Sequence, residues 1–140
     1  MTLGCAPQPT VLVVDDYQDS REMYAAYLSL AGFRSVMAAD GQEALQVAAA
    51  LMPDLVLMDL SLPGIDGFEV TRRLKADPRT RHIPVVALTA RSGLPAPEVM
   101  SARGFESLIL KPCLPDVLAE RVGELIGMPE PGAVRQTAPG

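Results

Sequence analysis

PDLVLMDLSLPGIDGFEV, residues Pro53 to Val70, carries one β-strand, one loop and the start of one α-helix in that order. Leu55 to Met58 is an unbroken aliphatic run inside a candidate strand over 54–59, and a strand apolar on both faces is one covered on both sides. Asp59 ends the run, and Pro63-Gly64 behind it marks a turn that would leave the Asp59 carboxylate exposed at the sheet edge. Asp66 followed by Glu69 has capping-box spacing, and Phe68, Val70 and Leu74 continue as helix.

The same strand-then-helix unit recurs in both directions. Val11 to Val14, Phe33 to Met37, Ile83 to Thr89 and Glu106 to Leu110 are the other strand candidates. Met23, Tyr27 and Leu30 share one helical face before the stop at Gly32. Asp40 and Glu43 open a second helix that presents Ala44, Val47, Ala48 and Leu51 on one side as far as Pro53. A last helix follows Pro115, carries Leu118, Val122, Leu125 and Ile126, and stops at Gly127. Between Arg91 and Gly104 the pattern is weaker because Gly93, Pro95 and Pro97 each disfavour a helix interior. Pro97 suits a first helical position, so a short fourth helix is expected over 98–103, with Met100 and Val99 packed beneath it. Met37, Met52 and Met58 read as core filler.

Five strands alternating with five helices imply parallel pairing through crossover helices, an α/β fold with an open doubly wound sheet. One packed unit is expected over 10–127, with residues 1–9 as an N-terminal tail and 128–140, rich in Pro and Gly, as a disordered C-terminal tail.

Composition narrows the function. Aromatic residues make up 4% of a chain that is 49% hydrophobic, so the core is aliphatic. A net charge of −5 with scattered Lys and Arg argues against direct nucleic-acid binding. No apolar run is long enough for a bilayer and no signal-peptide pattern opens the chain, so a cytoplasmic location with no membrane contact is expected. Cys5 and Cys113 read as free thiols, and His82, the single histidine, reads as a loop residue, which leaves no His-based triad or zinc site.

In doubly wound sheets the ligand site lies beyond the carboxyl ends of the strands, near the switch in strand order. Those ends carry Asp15 and Asp16, Asp59, Thr89 and Lys111. Three carboxylates in one cleft repel each other and call for a cation, and an all-oxygen set suits Mg²⁺, with Mn²⁺ as a substitute. Beside such an ion a carboxylate becomes a reasonable phosphoryl acceptor, with Lys111 offsetting charge and the Thr89 hydroxyl donating to a phosphoryl oxygen. Asp59 is the candidate nucleophile. Taken singly, each of these residues has an ordinary alternative: a turn or cap for the Asp pair, a loop position for Asp59, an N-cap for Thr89, a solvated strand end for Lys111. Arg91 reads as a solvated residue, with shading of the phosphoryl pocket and an effect on hydrolysis as the alternative, and Ser61 reads as a loop hydroxyl.

VLVVDDYQDSR, PDLVLMDLSLPGIDGFEV, IPVVALTA and LILKP together resemble the motifs of the response-regulator receiver family, in family order from Val11 to Gly127. The resemblance implies a flavodoxin-like (βα)5 fold with strand order 2-1-3-4-5. It implies that Asp59 is both phosphoacceptor and metal ligand, that Asp16 binds Mg²⁺ directly with Asp15 acting largely through water, and that Ser61 offers its backbone carbonyl. It also implies that Thr89 and Lys111 contact the phosphoryl group and that the Lys111–Pro112 bond is cis. The implied donor is a phosphohistidine on a sensor histidine kinase or phosphotransfer protein, and the implied activity is confined to the protein's own phosphorylation and dephosphorylation rather than enzyme turnover.

Two departures stand out. Leu108 occupies the switch position three before Lys111 where the family carries Tyr or Phe, and the approach to the fourth helix is proline-rich. With no output region after the last helix, the expectation is a free-standing regulator that signals through an unknown downstream protein, with homodimerisation left open. The alternatives are an interaction module insensitive to phosphorylation and a phosphate-sink receiver. An aspartyl-phosphate hydrolase ranks lower because Ser61 stands where a haloacid-dehalogenase-like enzyme would place a second Asp.

Overall fold

The continuous aliphatic runs become strands in the computed structural model, which describes residues 8–129. In chain order the elements are β1 (Thr10–Val14), α1 (Gln18–Leu30), β2 (Arg34–Ala38), α2 (Gly41–Leu51), β3 (Leu55–Met58), α3 (Gly67–Ala76), β4 (Val85–Thr89), α4 (Pro97–Ala102), β5 (Phe105–Leu110) and α5 (Pro115–Ile126). The five strands pair in parallel in the order β2-β1-β3-β4-β5. This is the doubly wound, flavodoxin-like α/β sheet expected from the sequence, and the strand order reverses beside β1.

Strand alternation divides the core in two. Leu12, Val14, Val56, Met58, Val85 and Ala87 face one layer with Ala44, Ala48, Val70, Leu74 and Met100. Val11, Val13, Leu55, Leu57, Val86 and Leu88 face the other with Tyr24, Leu28, Leu118 and Val122. Successive side chains of a strand point to opposite faces, so a run that is apolar throughout is what a two-sided core requires. Burying one such side chain contributes about 1.5–3 kcal/mol, most of it lost on truncation to Ala.

Helix ends follow the capping chemistry in part. Asp40 accepts the Glu43 N–H at 2.8 Å while Glu43 Oε1 accepts the Ala39 N–H at 2.6 Å, a reciprocal cap. Asp66 accepts the Glu69 N–H at 3.0 Å, but Glu69 turns its carboxylate to Arg72 and Arg73 instead of completing a box. Pro97 opens α4 at its first position, and Gly104, at φ 102°, follows its end in the left-handed region that a side chain with Cβ disfavours.

Several expected core positions are corrected. In α1 the buried residues are Tyr24, Ala25 and Leu28, while Met23 and Leu30 are exposed and Tyr27 is half-buried. Two apolar stripes run along this helix, and the one beneath Lys111 and α5 is the one that packs. Leu51 and Leu125, each at the C-terminal end of its helix, are exposed, as is Val99, so Met100 alone lies under α4. Met58 is buried, but Met37 points outward from edge strand β2 and Met52 is an exposed C-cap at φ 49°.

Most of the expected tails, and Cys5 with them, lie outside the described residues. Gln8 and Pro9 are bonded onto the sheet, Gln8 Nε2 donating to Gly32 O at 2.8 Å and Pro9 O accepting the Arg34 N–H at 2.9 Å. Among the described residues no helix is long and apolar enough to cross a membrane.

Candidate phosphoacceptor and metal site

Parallel register sets which strand ends meet. Val14 lies opposite Met58, so Asp15 and Asp59 leave adjacent strands side by side, and the Asp59 N–H donates to Val14 O at 3.0 Å. Thr89 pairs with Leu110, and the Lys111 N–H donates to Thr89 O at 2.9 Å. A cavity of about 220 Å³ at this edge is lined by Asp15, Asp16, Tyr17, Ser20, Asp59, Ser61, Thr89, Ala90, Arg91 and Lys111. Asp15, Asp16, Asp59, Ser61, Thr89 and Lys111 are thus brought together.

The carboxylates are held differently. Asp15 is 2% exposed, with Oδ1 accepting the Tyr17 N–H at 2.9 Å and Oδ2 accepting from Lys111 Nζ at 2.5 Å. Asp59 is 8% exposed, and its Oδ1 accepts the Ser61 N–H at 3.0 Å. Asp16 is exposed. One oxygen from each of the three carboxylates lies within 4.8 Å of the others. Three acids against one ammonium leave an excess of negative charge, and the donors are oxygens without His or Cys. This set fits a hard divalent cation such as Mg²⁺ and does not fit Zn²⁺.

Lys111 bridges the acids, with Nζ 3.5 Å from Asp59 Oδ2 and 3.3 Å from Ser20 Oγ in addition to Asp15. Burial alone would lower its pKa, but the Asp15 hydrogen bond and the charges of Asp59 and Asp15 outweigh burial and hold the ammonium above its ordinary value. The Lys111–Pro112 peptide bond is cis. Thr89, 1% exposed, accepts the Arg91 N–H at Oγ1 at 3.0 Å. Gly67 brings the start of α3 against the Asp59 backbone, where a Cβ would overlap the Asp59 carbonyl oxygen and lie 2.8 Å from Leu60 Cα.

Leu108 is not at this cavity. It is half-buried on β5 and lines a separate cleft of about 240 Å³ with Pro95, Pro97, Met100 and Phe105, while its carbonyl accepts from Arg121 at 3.3 Å. Arg91 is exposed, as its reading as a solvated residue requires, and it also lines the acidic cavity with its guanidinium carbon 5.5 Å from the Phe68 ring centroid.

Three supporting residues of α1 were not evident from sequence. Ser20 contacts the Lys111 ammonium, Arg21 donates to Asp15 O at 2.8 Å, and the buried Tyr24 ring lies 5.7 Å from Lys111 Nζ with its hydroxyl accepting the Cys113 N–H at 3.4 Å. The only sequence signal for them was a helical spacing of Ser20 and Tyr24 on one face after the Asp pair.

This chain belongs to the response regulator receiver domain family, whose profile matches residues 11–123. Over 118 residues it is 34% identical to the polar-differentiation response regulator DivK of Brucella anthropi, covering 84% of this chain and 96% of DivK. It is 47% identical over 83 residues to the response regulator PleD of Caulobacter vibrioides, covering 59% of this chain, and spans only 18% of PleD's length. Among solved structures, the receiver domain of a sensor histidine kinase from Pseudomonas aeruginosa, with a magnesium ion coordinated in its active-site cleft, matches at TM-score 0.77 and 29% identity over 86% of this chain and 98% of that one. The chain is therefore a signalling receiver domain of the two-component type.

Proposed function

We propose that Asp59 accepts a phosphoryl group from a phosphohistidine on a sensor histidine kinase or phosphotransfer protein, and that a downstream protein reads the modified state. The observation that carries this is the convergence of Asp15, Asp16, Asp59 and Lys111 on one cavity, with oxygens of the three acids within 4.8 Å. A carboxylate oxygen of Asp59 attacks phosphorus as the P–N bond breaks. The electron pair of that bond leaves on the imidazole nitrogen, which takes a proton from solvent. Water later cleaves the mixed anhydride to inorganic phosphate and restores the carboxylate.

Mg²⁺, when bound, would draw negative charge off the transferring oxygens. Asp16 and Asp59, with the Ser61 carbonyl, would hold it. Both oxygens of Asp15 are already engaged by Tyr17 and Lys111, which supports a contact through water for that residue. Lys111, held across Asp15 and Asp59, is placed to stabilise charge on the phosphoryl group. Thr89 Oγ1 accepts from Arg91, so its own hydrogen is left to donate to a phosphoryl oxygen. Residues 10–127 would form the receiver unit, working in the cytoplasm.

A second reading, an interaction module insensitive to phosphorylation, rests on Leu108, which has no ring to swing toward Thr89. Partner binding with and without beryllofluoride separates the two readings, and equal affinities would favour the second. Phosphoacceptance itself is tested by labelling with acetyl phosphate. Uptake that needs Mg²⁺ and disappears in Asp59→Asn supports the proposal, and uptake that survives the substitution refutes it.

A further inference from the structure

A second cavity, of about 510 Å³, opens between α3 and α4 and shares no residue with the acidic one. Its charged lining is Asp66, Glu69, Arg72, Lys75 and Arg103, so cations outnumber acids there although the chain as a whole carries −5. Its volume falls in the range of small-molecule sites, roughly 300–1,000 Å³.

The acids of this cleft are already engaged. Asp66 Oδ1 accepts the Glu69 N–H at 3.0 Å, and the Glu69 carboxylate takes Arg72 and Arg73, each at 2.7 Å. Two of the cations are not matched in this way. Among the described residues neither Lys75 nor Arg103 forms an ion pair. Lys75 Nζ donates only to the carbonyls of Arg81, at 3.1 Å, and Ile83, at 2.7 Å, and an ammonium has three N–H donors, so one is left for a ligand. The Arg103 guanidinium, exposed at the C-terminal end of α4, lies 4.9 Å from the centroid of the half-buried Phe68 ring.

A half-buried ammonium that meets carbonyl dipoles but no carboxylate is held at a cost. Burial lowers the Lys75 pKa, and the charge of Glu106 opposes that only from a distance. An anion beside it would remove the cost, and the fork of Arg103 is free to bind the same group in charge-assisted hydrogen bonds. Gly104 keeps the place open: a Cβ there would lie 2.8 Å from Lys75 Cγ and displace the stem that carries the ammonium.

We propose that the α3–α4 cleft binds a small organic anion, a phosphate monoester or a carboxylate, whose charged group is received by Lys75 and Arg103 and whose apolar body lies against Phe68 and Ala102. This site is independent of the phosphoacceptor reading of Asp59.

The test is an NMR titration of the full chain in metal-free buffer with phenyl phosphate, benzoate and inorganic phosphate. The amide signals of Ala102 and Gly104 and the ring signals of Phe68 should shift saturably with phenyl phosphate or benzoate, with a Kd of about 1 mM or lower. Saturation by one of the two alone supports the site and assigns its charged group. Arg103→Gln and Lys75→Met should each weaken binding on the order of tenfold, the loss of one hydrogen bond to a charged group. Arg103 is exposed, so its variant leaves the core untouched and decides the matter if Lys75→Met fails to fold. Shifts that grow linearly without saturating, shifts centred on Asp59 and Thr89, inorganic phosphate bound as tightly as phenyl phosphate, or undiminished affinity in Arg103→Gln would each overturn the proposal.

Discussion

The Lys111 ammonium lies 2.5 Å from Asp15 Oδ2 although the two residues stand 96 positions apart and their strands are separated by β3 and β4. With side chains 16% and 3% exposed, this is a largely buried pair whose loss would leave Asp15 without a counter-charge. Lys111→Ala should therefore cost about 2 kcal/mol of stability in metal-free buffer and slow phosphorylation on the order of 100-fold. The raised pKa of Lys111 means that its contribution is fully present below the ordinary 10.5 and is lost only as pH rises through the folded value. Urea unfolding of both proteins at neutral pH and above 10.5, with labelling rates, checks each part.

Clustering three carboxylates destabilises the cation-free protein, so a divalent ion should stabilise it by binding the folded state alone. At about 100 times the dissociation constant, Mg²⁺ should add roughly 2.7 kcal/mol, read as a rise in Tm. Asp16→Asn should largely remove that rise, since Asp16 is the exposed member of the cluster. An undiminished rise in the variant would place the ion elsewhere.

At Gly67 the backbone of α3 touches that of the loop after β3, with no room for a methyl group next to Asp59 O and Leu60 Cα. The neighbouring atoms are backbone and cannot rotate away. Gly67→Ala should cost about 1–3 kcal/mol in chemical denaturation and should also weaken beryllofluoride binding by displacing Asp59.

Hydrogen bonds from Arg72 and Arg73 lower the Glu69 carboxyl from 4.5 to about 2. Because its folded pKa is depressed, its stabilising effect is present above the unfolded value of 4.5 and is lost as pH falls toward 2. The group is at the surface, so screening should shrink the effect. An NMR titration should give a midpoint near 2 at low salt and a higher one at about 1 M salt, where the Debye length is about 3 Å. A midpoint that stays at 4.5 in both buffers would mean that the paired arginines are not held in solution.

The parts of the fold legible in the sequence were those decided locally. Leu55–Met58 and Val85–Thr89 declare two-sided burial by composition alone, and Asp40 and Asp66 mark helix starts through their own side chains. The α1 face was not legible, because Met23-Tyr24 and Tyr27-Leu28 place apolar residues on two adjacent stripes and only packing against α5 and Lys111 selects one. Met37 and Met52 were misread because an edge strand and a left-handed cap each turn an apolar side chain outward. Strand-end residues of the site were readable because topology puts them at one edge. Ser20 and Tyr24 meet Lys111 through contacts that exist only once β5 has docked, as the 91 positions between Ser20 and Lys111 show, while Arg21 reaches the Asp15 carbonyl within its own turn of chain through a side-chain contact that spacing alone does not mark.

The most direct measurement is to find which atom carries the phosphoryl group. Protein labelled in the presence of Mg²⁺ is reduced with borohydride, which converts an acyl phosphate to an alcohol, and is then digested and mapped by mass spectrometry. The account predicts homoserine at position 59 and intact aspartates at 15 and 16. Homoserine at 15 or 16, or reduction spread evenly over the three, would contradict it.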